Sequence, residues 1–336
     1  MSTVRAAVLA AARTVELELR EAPPVAPGLV RVAVESVGLC GSDMHYWAHG
    51  RNGANVLSQP TVLGHEGWGV VTEVGDGVPS DRVGTRVAVE PAHPCLRCST
   101  CLEGRYEVCP RSTCLGSPPT DGMLQGSVLV PAPFAHPLPE ELPGEAAALV
   151  EPLAVAVWAA QRAGELRGRD VLVTGAGPIG LLVLQVARAA GAASVTVTDV
   201  AAPRLARARE LGADEALDAR ADLPRAAFHA VFECSGAPAA YASLVAVRPA
   251  GVFVVVGVAS GDVLLPLGAA QRWEVDVRPS FRYGPGAFAT AIRWASSSRV
   301  QLAPLVTSRF PLERADRAIA CAVEDRSQVK VLVDVR

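Results

Sequence analysis

The chain of 336 residues is poor in aromatic side chains, at 5% of the total, and poor in charge, with 19% Asp, Glu, Lys and Arg. With few large rings to fill a core, the space falls to Ala, Val, Gly and Leu, the residues of helices packed closely on a sheet. Neither sign of charge is in large excess, the formal net charge being -3. Such a balance gives no electrostatic reason to expect nucleic acid or an anionic membrane as partner. Long hydrophobic runs are missing too. The most apolar uncharged stretch, Val171–Ala187, is interrupted by Thr174, Pro178, Gln185 and glycines, so it reads as strand, turn and helix rather than a membrane span. Arg5 ahead of an apolar stretch superficially suggests a secretory signal, but the stretch Ala6–Ala12 is short, Arg13 breaks it, and the alternation of Val15, Leu17 and Leu19 predicts a first strand and hairpin instead. Together these absences predict a cytoplasmic protein, long enough for two domains.

Half of the chain is hydrophobic, and its texture changes along its length. The first third holds short alternating strand candidates, Leu29–Ser36, Gly67–Val74, Arg86–Glu90 and Gln125–Val130, punctuated by Gly and Pro as in an irregular, barrel-like β fold. From Gly144 to Ala163 the apolar spacing is helical. Beyond Asp170, buried strands alternate with helices: Val171–Thr174, Ile179–Ala190, Val195–Thr198, Arg204–Leu211, Ala230–Glu233 and Val252–Val256. That alternation predicts an α/β fold with a doubly wound parallel sheet of the Rossmann kind. The series ends near Phe281, followed by a helix over Ala287–Ser297 and a closing strand over Val329–Val335.

Between strand and helix lies Gly175-Ala176-Gly177-Pro178-Ile179-Gly180. A G-x-G-x-x-G pattern is weak alone and strong in this setting. It allows a tight turn, a close approach of backbone to pyrophosphate, and close packing of helix on strand, with the helix amino terminus facing the phosphates. Asp199 ends the next strand, where a carboxylate accepts hydrogen bonds from ribose hydroxyls and repels a 2′-phosphate; this favours NAD over NADP, the alternative role being a cap for the next helix. Arg204 follows at a position suited to stacking near adenine, the alternative role being contact with a phosphate.

Of eight cysteines, Cys95, Cys98, Cys101 and Cys109 crowd into one segment. Four thiolates close a tetrahedral zinc shell and leave no place for substrate, which predicts a structural zinc that clamps a lobe without a core of its own. A second group is dispersed: Cys40, the pair His65-Glu66, and Glu151 before Pro152. One thiolate, one imidazole and one or two carboxylates suit a zinc that keeps an open position. Taken singly, Cys40 is a buried thiol, His65 a turn histidine and Glu151 an acid at a helix start.

The segment Gly64-His65-Glu66-x2-Gly69-x5-Gly75-x2-Val78 resembles the zinc signature of the medium-chain alcohol dehydrogenases, and the four-cysteine lobe and glycine motif stand where that family places them. Within the family the chain looks most similar to the sorbitol (polyol) dehydrogenase branch, through Cys40-Gly41-Ser42-Asp43-Met44-His45-Tyr46-Trp47, Gly116-Ser117-Pro118-Pro119, Glu151-Pro152-Leu153, Phe281-Arg282-Tyr283 and Pro304-Leu305-Val306-Thr307. The resemblance implies an irregular β-rich, GroES-like catalytic domain over 1–152 with the structural zinc lobe at 93–111, an NAD-binding Rossmann domain over 153–284, and a return to the catalytic domain over 285–336. It further implies that Cys40, His65 and Glu66 hold a catalytic zinc, with Glu151 a ligand in some states or the holder of its water. Ser42 and Glu151 then carry the proton outward, Tyr46, Arg282 and Tyr283 line a polyol site, and Arg282 also approaches the nicotinamide. Trp68, Cys114 and Gly284-Pro285-Gly286 depart from the branch pattern. The implied reaction is hydride transfer from a secondary alcohol to NAD, in a homodimer or homotetramer joined through edge strands near Asp262–Leu267 and Val275–Phe281. Alternatives are the same chemistry on a cyclitol, an aminocyclitol, idonate or threonine, and a nucleotide-binding descendant without catalysis.

Overall fold

In the computed structural model, which describes residues 3–259, 261–297 and 299–336, the chain divides into two units: Met1–Glu151 with Leu302–Arg336, and Pro152–Gln301. The expected return to the first unit at 285 falls instead at Leu302. The helix Ala287–Ala295 buries Ala287, Phe288 and Ala291, and Gln301 exchanges two hydrogen bonds with Gln185 on the helix Pro178–Ala189, at 2.7 and 3.1 Å. Residues 285–301 are thereby tied into the second unit.

That second unit carries a six-stranded parallel sheet in the order Glu215–Asp218, Ser194–Asp199, Asp170–Thr174, Phe228–Glu233, Val247–Val255, Asp276–Pro279. Val171, Leu172 and Val173 are wholly buried, as a strand covered on both faces requires. Asp276–Pro279 forms one edge. The stretch Asp262–Leu267, expected as an edge strand, is not one: Pro266 offers no N–H to a ladder, and a helix, Leu267–Arg272, starts directly after it.

The first unit is built on a seven-stranded sheet. It runs Ala135–Pro137, Arg86–Val89, Glu66–Val74, Leu29–Gly38, Lys330–Asp334, Val306–Pro311, with Ser127–Pro131 also paired to Leu29–Gly38. The expected amino-terminal hairpin is present as Thr3–Ala11 against Thr14–Glu21. Its core is aliphatic, centred on Val30, Val32, Val34, Val37, Val87, Val89 and Val333. The apolar segment from Gly144 to Ala163 divides into two helices, Gly144–Ala148 and Val150–Ala163. Pro152 has no N–H to donate to the Ala148 carbonyl, so one helix stops and a second starts with proline in its first turn. No helix among the described residues is long and apolar enough to cross a membrane.

Candidate metal and dinucleotide sites

Cys40 stands at the N-cap of the helix Gly41–His49. His65 lies in the turn before the strand that begins at Glu66. That strand pairs with Leu29–Gly38, placing Glu66 opposite Gly38, two residues before Cys40. Strand pairing therefore closes a sequence gap that no spacing rule bridges. One ligand atom each from Cys40, His65 and Glu66 lie within 4.8 Å of one another. A thiol, an imidazole and a carboxylate so gathered fit zinc with an open position. Glu151 is buried in the first turn of the helix Val150–Ala163 and lies near enough to act electrostatically on His65.

Two charged residues that the sequence did not single out complete this cluster. Asp43, with no exposed surface, accepts hydrogen bonds from the N–H of Cys40 at 2.9 Å and of Gly64 at 3.1 Å, and its Oδ1 lies 3.7 Å from Nδ1 of His65. Burial pulls the His65 imidazole toward neutrality, but Asp43, Cys40 and Glu151 override it and hold its pKa well above the ordinary value. Burial in turn raises Asp43, opposed by His65 and the two N–H donors. The second residue, Lys330, is buried in the strand Lys330–Asp334 and donates to the Leu39 carbonyl at 3.0 Å and to Oε2 of Glu66. One signal in the sequence does mark it. Of 31 basic residues, Lys330 is the single lysine.

Ser42 is half-buried in the first turn after Cys40. Tyr46, on the same helix, is buried with its hydroxyl 3.2 Å from Ser117 Oγ, which also accepts from Asn55 at 3.3 Å. In the second unit, Arg282 adopts φ 51° and stacks on Phe281 at 4.9 Å, while Tyr283 is buried edge-on to Phe288 at 5.3 Å. The departure at Gly284 has a steric cause: a Cβ there would lie 2.5 Å from the ring of Trp158. Trp68 is stacked by the guanidinium of Arg86 at 4.8 Å, and Cys114 pairs with Ala92 in a two-residue strand.

The four-cysteine segment folds as a short helix, Ser99–Leu102, and a single 3-10 turn, Tyr106–Val108. Sulfur separations are 3.5 Å for Cys98–Cys101, 3.6 Å for Cys95–Cys109 and 3.9 Å for Cys98–Cys109. Thiolates ~2.3 Å from a tetrahedral zinc stand roughly 3.8 Å apart, so the segment has the dimensions of a closed zinc shell. Cys95 is brought down to about 6, foremost by the N–H of Arg97. A polar tie holds the lobe: Glu90 accepts from Tyr106 at 3.1 Å and pairs with His136 at 2.6 Å.

At the glycine motif, Gly180 admits no side chain, since a Cβ would stand 1.8 Å from the Gly175 carbonyl, whereas around Gly177 the space is open. Pro178 and Ile179 form the first turn of the helix Pro178–Ala189. Asp199 accepts from the N–H of Ala176 at 2.7 Å and of Ala201 at 2.8 Å, joining the strand end to the motif and to the start of the helix Ala202–Glu210, whose first turn holds Arg204. Asp199 thus sits beside the glycine turn and holds the turn before the helix, without capping the helix's own N–H groups.

Residues 26–140 match the alcohol dehydrogenase GroES-like domain, and residues 178–297 match the zinc-binding dehydrogenase family. The sorbitol dehydrogenase of Gallus gallus is 41% identical over 322 residues, 92% of this chain and 90% of that protein. The probable D-xylulose reductase A of Aspergillus terreus is 37% identical over 326 residues, 93% and 92% of the two chains. Among solved structures, L-idonate 5-dehydrogenase from Escherichia coli superposes with a TM-score of 0.94 at 30% identity, covering 99% of each chain.

Proposed function

This chain belongs to the zinc-dependent medium-chain alcohol dehydrogenase family, and we propose that it oxidises a secondary alcohol of a polyol of the sorbitol or xylitol kind to a ketose, with NAD as acceptor. It is an oxidoreductase that uses zinc and a nicotinamide dinucleotide. The observation that carries the reading is the gathering of Cys40, His65 and Glu66 within 4.8 Å, with Glu151 acting on His65. Zinc in such a set supplies Lewis acidity toward a hydroxyl, and the nicotinamide supplies a hydride acceptor. Carboxylate donors make a harder, more polar site than a set of two thiolates and an imidazole, which suits a hydroxyl-rich substrate.

The chain's own groups have separate tasks in this reading. Cys40, His65 and Glu66 hold the metal, and Ser42 and Glu151 pass the hydroxyl proton outward. Tyr46, whose hydroxyl is held near Ser117, recognises substrate hydroxyls, as do Arg282 and Tyr283. Asp199 takes the ribose hydroxyls of NAD and repels the extra phosphate of NADP. Cys95, Cys98, Cys101 and Cys109 hold the structural zinc. Four cysteines gathered as metal ligands rather than spread through the chain as a disulfide framework suit a reducing cytoplasm. A homodimer or homotetramer would use the edge strand Asp276–Pro279, beside which Phe281 is 50% exposed.

A substrate panel followed by absorbance of reduced nicotinamide tests the proposal. Sorbitol, xylitol, idonate, myo-inositol, an aminocyclitol, threonine and a simple secondary alcohol are offered with NAD or NADP, and Cys40→Ser is the control. Polyol-dependent reduction of NAD, absent in the control, supports the reading. Turnover of idonate with none of sorbitol or xylitol would replace it by a second reading, a sugar-acid dehydrogenase, which the likeness to L-idonate 5-dehydrogenase favours.

A further inference from the structure

Arginine serves this chain as its basic residue everywhere but at position 330. Lys330 is 2% exposed, its ammonium is anchored on the Leu39 carbonyl, and its other partner is Oε2 of Glu66, itself 1% exposed. Space around the pair is tight, because a Cβ at Gly38 would lie 2.6 Å from Glu66 Oε2 and 3.3 Å from Lys330 Cδ. A planar guanidinium, with donors spread over a wide fork, does not fit where a compact ammonium does. Two further acidic groups, Cys40 and Glu151, act on Lys330 electrostatically, and His65 is the other base of the cluster. Gathering a thiolate and two carboxylates in a buried place is unfavourable unless positive charge accompanies them.

We propose that Lys330 is a positioning residue of the zinc site, fixing the orientation of Glu66 and offsetting the charge of the donor set so that the site stands ready before metal arrives. The inference rests on the zinc-site assignment above. Lys330 meets neither substrate nor cofactor in this role; it acts through Glu66 alone, by holding one carboxylate oxygen and leaving the other unheld by the ammonium. Partners that orient metal ligands in this way typically govern metal affinity by 10–100-fold.

Because the chain holds one lysine, selective 15N labelling of lysine side chains places a single ammonium signal in the whole protein. In wild type, zinc is restored stepwise to chelator-treated protein, with the four-cysteine site filled first by limiting zinc. The lysine signal is expected to stay in place during that first equivalent and to move during the second. In a second arm, Lys330→Met and Lys330→Arg are compared by zinc stoichiometry under chelator competition and by the visible spectrum of cobalt in the catalytic site. Lys330→Met is expected to keep the four-cysteine zinc and lose affinity for the other by roughly 10–100-fold, with an altered cobalt spectrum; Lys330→Arg recovers only part of the affinity. A lysine signal indifferent to the second equivalent overturns the proposal, and so does wild-type zinc affinity in Lys330→Met. If Lys330→Met does not fold, the wild-type titration still decides. Should the second equivalent fail to bind to wild type at all, the zinc-site assignment itself falls, which distinguishes the two failures.

Discussion

Asp43 and His65 face each other across 3.7 Å at the junction of a helix start and a strand start, and the same carboxylate binds the N–H groups of Cys40 and Gly64. One buried side chain therefore sets the relative position of two ligand-bearing turns that lie 25 residues apart in sequence (65 − 40). Asp43→Asn keeps the size but removes the charge and turns an NH2 toward one of those donors. Affinity for the catalytic zinc is expected to fall by about 10–100-fold, read by chelator competition with the four-cysteine zinc as internal reference. Unchanged affinity would show that Asp43 only braces the turn.

Asp199 yields a prediction about cofactor choice. Its carboxylate already accepts two backbone N–H groups, so it is fixed in place before any ribose arrives. Replacing it by Ser is expected to lower kcat/KM for NAD by on the order of tenfold or more, as one hydrogen bond to a charged group is worth roughly 1.5–3 kcal/mol. The ratio of NADP to NAD use should rise, since the repulsion of a 2′-phosphate is gone. Steady-state kinetics with both cofactors checks this; an unchanged ratio would mean that Asp199 serves only the backbone.

The four-cysteine lobe is held together by its sulfur atoms and tied to the rest of its unit through Tyr106 and Glu90. Cys98→Ser is expected to release one zinc per chain and to make the segment 93–111 the first site of proteolysis. Catalytic zinc should remain. Zinc stoichiometry with peptide mapping measures both, and retention of two zincs would contradict the closed-shell reading.

A pH prediction arises at Asp325, where the carboxylate accepts from Ser327 N at 2.9 Å, Ser327 Oγ at 2.6 Å and Gln328 Nε2 at 2.9 Å. These bonds, Gln328 foremost, bring its pKa from 3.8 down to about 2. A carboxylate depressed in the folded state adds stability above its unfolded pKa and loses it as pH falls through the folded one. Wild type should therefore be more stable than Asp325→Ala above pH 3.8, and the difference should vanish as pH approaches about 2. Thermal melting across that range reads it out; a gap that persists at the acid end would assign the effect to packing.

Much of this molecule was legible before any coordinates. Two periods, 2 for the first third and the βαβ alternation after Asp170, follow from local side-chain patterning, and local patterning is what sequence displays. The glycine motif and the four cysteines were legible for the same reason: all their members lie within a few residues of each other. Boundaries were less secure. The helix pattern from Gly144 to Ala163 concealed a break that Pro152 imposes, and residues 285–301 went to the other unit through Gln185 and Gln301, a contact between segments 116 residues apart.

The amino-acid sequence by itself determined the fold class, the phosphate-binding turn and the closed thiolate shell, because each is written in short-range spacing. Only the tertiary structure decided which distant groups share one buried place. Pairing of Glu66–Val74 with Leu29–Gly38 and of Lys330–Asp334 with the same strand brings Glu66, Cys40 and the single lysine together. Burial then does what sequence cannot specify: it makes each charge in the cluster depend on an opposite charge beside it, since water is no longer there to solvate any of them.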